Sequence, residues 1–137
     1  MADFITTSND DVRIFAEVET VAIATTLTAA DSAKAFVLSA SAGKAIQLPT
    51  LQSGLRFKFI VGAAFATTDW TIVSSTNVIE GNALVAGAHV AASNENTISF
   101  VASAESVGDY VELVSDGTSW FVSGSGVTSG SITFTAV

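Results

Sequence analysis

The feature that most constrains the fold of this chain is the pair Asp116-Gly117, which separates two strand-like runs within residues 109–124. An Asp-Gly pair can place both central residues of a two-residue turn at positive φ, and that geometry matches the twist of paired antiparallel strands. The sequence therefore predicts a β-hairpin. Its aromatic residues are expected to be anchors in the core or at a subunit interface: Tyr110, Trp120 and Phe121.

Short runs with strand character recur along the rest of the chain, and no long helical pattern separates them. They lie at residues 12–18, 21–27, 35–38, 44–48, 55–61, 69–74, 78–80, 83–85, 97–101 and 131–135. In the clearest run, alternation predicts that Phe57 and Phe59 belong to the core. Gly81-Asn82 suggests a second tight hairpin, and residues 28–34 form the only plausible helical turn.

These patterns predict an all-β fold of about ten short, mostly antiparallel strands, arranged as a sandwich, a jelly-roll-like fold or a small barrel. At most one short helical turn is expected. The length of 137 residues suits a single domain. We therefore expect residues 1–11 to be a polar N-terminal arm and residues 12–137 to be a single β domain, which begins with Val12, Ile14, Ala16 and Val18 on one face of a half-buried strand.

The charge balance argues against a nucleic-acid partner. Five basic residues against thirteen acidic ones give a formal net charge of −8, whereas nucleic-acid binding depends on cations that neutralise phosphates. Apolar windows are too short to span a bilayer, and the first residues carry no recognisable secretion signal. We expect a soluble protein made in a cytoplasm, without a membrane partner.

Chemistry-bearing residues are few, and none of them forms a recognisable catalytic or metal motif. The chain has no Cys and one His, so a zinc site would have to depend on carboxylates, which is uncommon. His89 is expected to be an exposed loop residue. Asn9-Asp10-Asp11, Asp109 and Asp116 lack the spacing of a calcium loop and are better explained as turn and capping residues.

Two further groups of residues leave alternatives open. Glu80 and Glu112 are the carboxylates that a glycosidase-like pair would need, but nothing in their spacing brings them within about 5 to 10 Å of each other. Gly124-Ser125-Gly126 lacks the Lys and the following helix of a phosphate-binding loop, so it predicts a turn within a loop at residues 124–130. We predict no catalytic, metal or cofactor-binding residue.

Surface composition points toward association. Ala, Ser and Thr make up 55 of the 137 residues, while charged residues account for only 13%, about half of the usual share. Copies of the chain or a partner would cover part of such a surface; a monomer with a Ser/Thr-rich surface is the alternative. If their strands are neighbours, Lys44, Arg56 and Lys58 form a basic patch for an acidic partner, or they are a solvated outer face. Trp70 and Trp120 are expected to be buried rather than to stack on a sugar.

From about Leu48 to Gly130 the chain resembles small virion proteins of tailed phages, notably those of marine bacteria. The similarity lies in five segments of the chain: Leu48-Pro49, Gly54-Leu55-Arg56-Phe57, Val61-Gly62-Ala63-Ala64, Asp69-Trp70-Thr71-Ile72 and residues 111–124. These motifs are structural rather than chemical, and residues before Leu48 match no pattern of this kind.

The resemblance implies a non-enzymatic capsid decoration or cement protein that binds the major capsid protein on the outside of the particle. It also implies self-association, with a homotrimer as the expected form. The alternative is a tail-fibre or receptor-binding β module of the virion.

Overall fold

The computed structural model describes residues 17–137, which form twelve β-strands and one short 3-10 turn. The predicted arm at residues 1–11, and residues 12–16 of the first predicted strand, lie outside this range. The strands are β1 Glu17–Val21, β2 Thr25–Thr26, β3 Lys34–Leu38, β4 Ala45–Gln47, β5 Ser53–Val61, β6 Trp70–Val73, β7 Ile79–Val85, β8 Ala88–Glu95, β9 Thr97–Phe100, β10 Tyr110–Asp116, β11 Trp120–Gly126 and β12 Ile132–Thr135.

The strands form two sheets, which pack as a sandwich. The seven-stranded sheet has the order β1-β3-β5-β10-β11-β7-β8, and the five-stranded sheet has the order β12-β9-β6-β4-β2. Side chains from both sheets contribute to one buried core, because inward-facing apolar residues on each sheet need a partner surface. The predicted all-β class is confirmed, and the sandwich is the alternative that the structure adopts.

The first half of the chain coils between the two sheets. Strands β1, β3 and β5 lie parallel in the seven-stranded sheet, and strands β2, β4 and β6 lie parallel in the five-stranded one. Each coil thus adds one strand to each sheet. The second half continues both sheets from the last coil, since β10 pairs with β5 and β9 pairs with β6, both antiparallel.

Within residues 17–137, five of the ten strand pairings are parallel, and the expectation of mostly antiparallel strands is therefore wrong. The reason lies in the connections. A hairpin returns the chain to the same sheet in the opposite direction, but a coil crosses to the other sheet and returns in the same direction. Short loops are compatible with either path.

Aromatic rings form the centre of the core. Phe57 and Phe59 are buried as predicted, and Phe36 stacks on Phe59 at 5.6 Å between ring centroids. Trp120 contacts Phe57 at 5.9 Å, and Trp70 is fully buried within the five-stranded sheet. Pairs of this geometry stabilise a core by about 1 kcal/mol beyond their buried area.

The predicted hairpin at Asp116-Gly117 is present, but its turn is longer than two residues. Strands β10 and β11 pair up to Ser115 and Trp120. Gly117 has a φ of 92°, and the Asp116 carboxylate accepts hydrogen bonds from the backbone N–H groups of Thr118 and Ser119, both at 2.9 Å. The side chain of Asp116 organises the loop, so the turn does not need a second residue at positive φ.

The predicted hairpin at Gly81-Asn82 is wrong, because both residues lie inside the continuous strand β7. The turn falls at Ala86-Gly87, where φ is 51° and 83° between the paired residues Val85 and Ala88. Positive φ at both positions is the geometry of a two-residue hairpin loop. It leads into β8, which the sequence does not predict because its residues have low β-propensity.

The facing of Val18 in β1 and the end of strand β11 also differ from the sequence predictions. Val18 is 67% exposed, since Glu19 and Val21 of β1 pair with Phe36 and Leu38 and share their inward face. Strand β11 continues through Gly126 rather than ending at a loop from residue 124. The helical turn is confirmed at Ala29–Asp31.

The carboxylates of Asp109 and Asp69, one buried and one half-buried, hold loops in place. Asp109 is only 2% exposed and accepts hydrogen bonds from the backbone N–H of Ser106 at 2.9 Å and of Val127 at 3.1 Å. Asp69 accepts one from Ala102 at 2.8 Å. Each carboxylate therefore links the start of a strand to a distant loop. For Asp109 this agrees with the predicted role as a turn and capping residue.

Candidate interaction surface

One candidate interaction surface is the outer face of the seven-stranded sheet, formed by the outward side chains of four central strands. We call this surface the outer face. Its members alternate along each strand with buried residues, as the pleat requires. They are Arg56, Lys58 and Ile60 of β5, Tyr110, Glu112 and Val114 of β10, Phe121, Ser123 and Ser125 of β11, and Glu80, Asn82 and Leu84 of β7.

Three large apolar side chains of the outer face are open to solvent. Val114 is 48% exposed, Phe121 is 47% exposed and Leu84 is 43% exposed. Val114 and Phe121 are directly paired across β10 and β11 and therefore form one continuous apolar area. Contiguous apolar area on a sheet is typical of a contact with another protein, whereas a single exposed apolar residue is not.

The charges on the outer face are few, and its two cations, Arg56 and Lys58, equal its two anions, Glu80 and Glu112, in number. The Lys58 ammonium lies 3.5 Å from the Glu112 carboxylate and 4.6 Å from the centre of the Tyr110 ring. Glu80 accepts a hydrogen bond from the backbone N–H of Asn94 at 3.1 Å. The face is therefore free of a large field of one sign, which favours contact with a surface of similar composition.

The outer side of the five-stranded sheet has a different character. Thr71, Ser99 and Thr133 lie side by side on β6, β9 and β12, and Thr97 pairs with Thr135 in the next row. None of these side chains carries an ionisable group, and Ser99 and Thr97 are largely buried. This surface accounts for part of the Ser/Thr excess in the composition.

A charged cluster closes the end of the sandwich where the coil begins. Lys34 lies 3.0 Å from Asp31, 3.3 Å from Glu19 and 4.0 Å from Glu17. The backbone N–H of Thr28 donates a hydrogen bond to the Asp31 carboxylate, and this bond lowers the pKa of Asp31 below its usual value. The nearby Lys34 ammonium also lowers the pKa of Asp31. Inward-facing charges on edge strand β1 hinder the addition of another strand.

A polar groove lies beside β2 and β4, away from the outer face. Its walls carry hydroxyl and amide groups from Thr26, Thr28, Gln47, Gln52 and Ser75, with Leu48 and Pro49 among them. Among residues 17–137, no charged or aromatic side chain lines it. The groove therefore lacks both the paired carboxylates of a glycosidase and a stacking platform for a sugar ring.

The structure separates the residues for which sequence alone left chemistry open. Glu80 and Glu112 both lie on the outer face, on strands separated by β11, and neither lines the groove. His89 is exposed as predicted but belongs to strand β8, with its Nδ1 2.9 Å from the Asn82 Oδ1. Trp70 and Trp120 are fully buried, which confirms the core interpretation for both.

The three-residue basic patch does not form. Arg56 and Lys58 both project from β5 onto the outer face, but Lys44 immediately precedes β4, which belongs to the other sheet. Among residues 17–137, no three His, Asp or Glu side chains come together in a way that could hold a metal ion. In the same part of the chain, no helix has the length and apolarity to cross a membrane.

Sequence reasoning missed Val114 and Leu84 as surface residues. A signal is present in the run Leu113-Val114, where two consecutive apolar residues interrupt the alternation of β10. Leu113 faces the core, so Val114 must face outward.

Comparison with known proteins identifies no relative. No protein-family model, curated protein or solved structure matches the chain.

Proposed function

We propose that this chain is a non-enzymatic structural protein of a phage virion, a decoration or cement protein that binds the outer surface of the capsid. The resemblance of residues 48–130 to small virion proteins motivates the proposal. In this role the protein binds the major capsid protein and its own copies, and many weak contacts sum to oppose rupture of the shell.

The observation that carries the proposal is the outer face. Val114, Phe121 and Leu84 expose apolar area on a rigid, hydrogen-bonded sheet whose outward cations and anions are equal in number. Such a surface loses little conformational entropy when it is covered, because strand backbones already hold its side chains in place. This property suits a protein whose task is binding rather than chemistry.

The remaining features agree with that role. The groove carries neutral polar groups, and the residues that sequence reasoning considered for catalysis lie apart from it. The net charge of −8 disfavours contact with the packaged genome. As the resemblance implies, copies bound to a shell are expected to form trimers at its local three-fold positions.

The direct test is to separate heads from tails in purified virions of the phage that encodes the chain and to locate the chain by mass spectrometry and cryo-EM. We expect it in the head fraction, with density on the outside of the shell. Its absence from heads would contradict the proposal.

A binding experiment tests the outer face itself. Purified chain is added to heads that lack it, and co-sedimentation is measured for Phe121→Ser and for the matched control Val127→Ser. Val127 is 72% exposed but follows the end of β11 and lies outside the outer face. We expect Phe121→Ser to weaken binding at least tenfold and the control to leave it unchanged.

One observation favours the alternative, a tail-fibre or receptor-binding module. Coils of parallel strands, like those of β1 to β6, can stack end to end with similar coils, as they do in solenoid proteins. In that case the chain would be found in the tail fraction and would bind host glycan. The fractionation described above distinguishes the two roles.

A further inference from the structure

The charged and apolar side chains of the outer face follow a regular order across the four strands. In one row across the four central strands, the side chains are Arg56, Val114, Phe121 and Glu80. This row begins with a cation, continues with two apolar side chains and ends with an anion. Its midpoint lies between β10 and β11.

A row of this kind is complementary to a reversed copy of itself. Two copies can pack with their outer faces against each other, related by a two-fold axis. When this axis runs parallel to the strands and passes between β10 and β11, the order of the strands in the second copy is reversed. Arg56 of one copy then faces Glu80 of the other, and Val114 faces Phe121. The same axis repeats both contacts, because an isologous interface forms every pair twice.

The other rows follow the same rule. At one end of the strands the row is Ile60, Tyr110, Ser125 and Leu84. Reversal places the apolar Ile60 against Leu84 and the Tyr110 hydroxyl near that of Ser125.

In the middle row, Lys58 pairs with Glu112 and Glu112 pairs with Ser123, while Asn82 is the outward residue of β7 between Glu80 and Leu84. Reversal brings Lys58 to Asn82 and Glu112 to Ser123. No row places like charges opposite each other, which is the condition for specific association of charged faces.

We infer that the outer face is a two-fold interface that joins this chain to a second copy of itself in solution. The axis lies close to the centre of the seven-stranded sheet, with β1, β3 and β5 beyond β10 and with β7 and β8 beyond β11. Faces of twisted sheets pack aligned at about 30°, as in a sandwich. The inference concerns the chain alone and does not rest on the proposed capsid role.

The area that the two copies would cover is at the low end of the range for specific complexes. The two copies overlap over six strands, the four strands of the outer face with β3 on one side and β8 on the other. At about 4.8 Å spacing and about 20 Å length, these strands give a footprint of roughly 600 Å² on each copy. Stable complexes usually bury about 800 Å² on each partner. The pair is therefore weak, and its dissociation constant is expected in the micromolar range.

The test is sedimentation equilibrium of the full chain from about 10 μM to about 1 mM, a range that spans such an affinity. We expect the mean mass to rise from 14.0 kDa toward twice that value. A mass that stays at 14.0 kDa throughout, or that approaches three times that value, would overturn the inference.

A charge-exchange cycle tests the axis. Arg56→Glu places two anions opposite each other in both symmetry-related contacts, and Glu80→Arg places two cations there. We expect each substitution to weaken the dimer at least tenfold, and the double variant Arg56→Glu/Glu80→Arg to return to within about threefold of the natural chain. Single variants that weaken the dimer without recovery in the double variant would contradict this axis.

The uncharged variant Phe121→Ser covers the case in which an Arg56 or Glu80 variant does not fold. Phe121 faces outward, so circular dichroism and thermal unfolding should match those of the natural chain at low protein concentration, where both proteins are monomers. At high concentration the variant should fail to dimerise. Val127→Ser is the control and should dimerise normally. A dimer that persists in Phe121→Ser would rule out this face.

The same variants distinguish this inference from the capsid role. If Phe121→Ser loses binding to heads although the natural chain is monomeric at every concentration, the shell covers the outer face and the dimer is wrong. If the chain dimerises as described but is absent from heads, the capsid role is wrong and the two-fold interface stands.

Discussion

Gly81 of β7 lies so close to Val122 of β11 that a Cβ atom on Gly81 would overlap the Val122 carbonyl oxygen. Gly81 also has a φ of 131°, a conformation that is almost exclusive to glycine. It lies in the parallel pairing that joins β7 to the hairpin strands, directly opposite Val122. Glycine at this position permits the close approach of the two backbones.

Gly81→Ala is therefore expected to lower the free energy of unfolding by about 3 kcal/mol, through backbone strain and steric overlap. Gly87→Ala is the matched control, because Gly87 also has positive φ but would place its Cβ in open space. It should cost about 1 kcal/mol. Urea denaturation of both variants measures the difference, and equal losses would contradict the overlap.

Neighbouring residues of β10 should respond very differently to truncation. Leu113 is fully buried, and Leu113→Ala is expected to cost about 3 kcal/mol in unfolding free energy because it leaves a cavity. Val114→Ala on the outward side should change stability by less than about 0.5 kcal/mol. The measurement is chemical denaturation at low protein concentration, and comparable losses would mean that the register of β10 is wrong.

The Asp109 carboxylate should contribute more to the free energy of unfolding than an exposed charged side chain does. Asp109→Ala leaves the backbone N–H groups of Ser106 and Val127 without their acceptor, and we expect a loss of about 3 kcal/mol. Asp109→Asn keeps one acceptor oxygen and should lose less. Hydrogen exchange at these two amides should accelerate in the Ala variant, and unchanged exchange would contradict the role of Asp109.

Stability should fall in acid partly through Asp31 and Asp116. Backbone N–H groups of Ser119 and Thr118 lower the pKa of Asp116, and the Thr28 N–H, with Lys34, lowers the pKa of Asp31. Each folded-state pKa lies below the ordinary value of 3.8, so the folded state binds these protons more weakly than the unfolded state. Their contribution is present above that value and is lost as the pH falls through the lowered pKa.

We expect the free energy of unfolding to decline between about pH 5 and pH 2. The double variant Asp31→Asn/Asp116→Asn should show a shallower decline, because two of the groups that take up protons are absent. Urea denaturation across this range checks the slope. An identical slope in the double variant would show that other carboxylates account for the whole effect.

Local patterns predicted the strands whose residues determine their own conformation. Alternation identified β5 and placed Phe57 and Phe59 in the core, and both Trp residues are buried as expected. The hairpin at Asp116-Gly117 is present because Asp and Gly favour a turn in any context. For the same reason, the short turn at residues 29–31 was predictable.

The errors occur where neighbours in space outweigh local preference. Gly81-Asn82 has turn chemistry, but pairing with β11 on one side and β8 on the other keeps β7 extended through both residues. Strand β8 has weak propensity and forms because β7 provides a template for it. Strand direction was also unpredictable, since a loop of given length can lead to a hairpin or to a coil.

The outer face shows the same division. The sequence indicated that the surface was poor in charge and that the aromatic residues of the Asp116-Gly117 hairpin were anchors in the core or at an interface. It did not indicate which residue had which role. Trp120 is buried, whereas Phe121 is 47% exposed. The register of the hairpin places Phe121 beside Val114. The strands on either side of the hairpin place Arg56 and Glu80 at the two ends of the same row.

By itself the sequence determined the all-β class, the core aromatic residues and the presence of the Asp116-Gly117 hairpin, because these depend on side-chain polarity and on backbone preferences within a few residues. Only the tertiary structure decided the coil of parallel strands, the extended path through Gly81 and the order of charges across the outer face. Those features depend on the pairing of strands that are far apart in the chain. The free energy of that pairing comes from contacts between residues distant in sequence, and a local sequence pattern carries no information about such contacts.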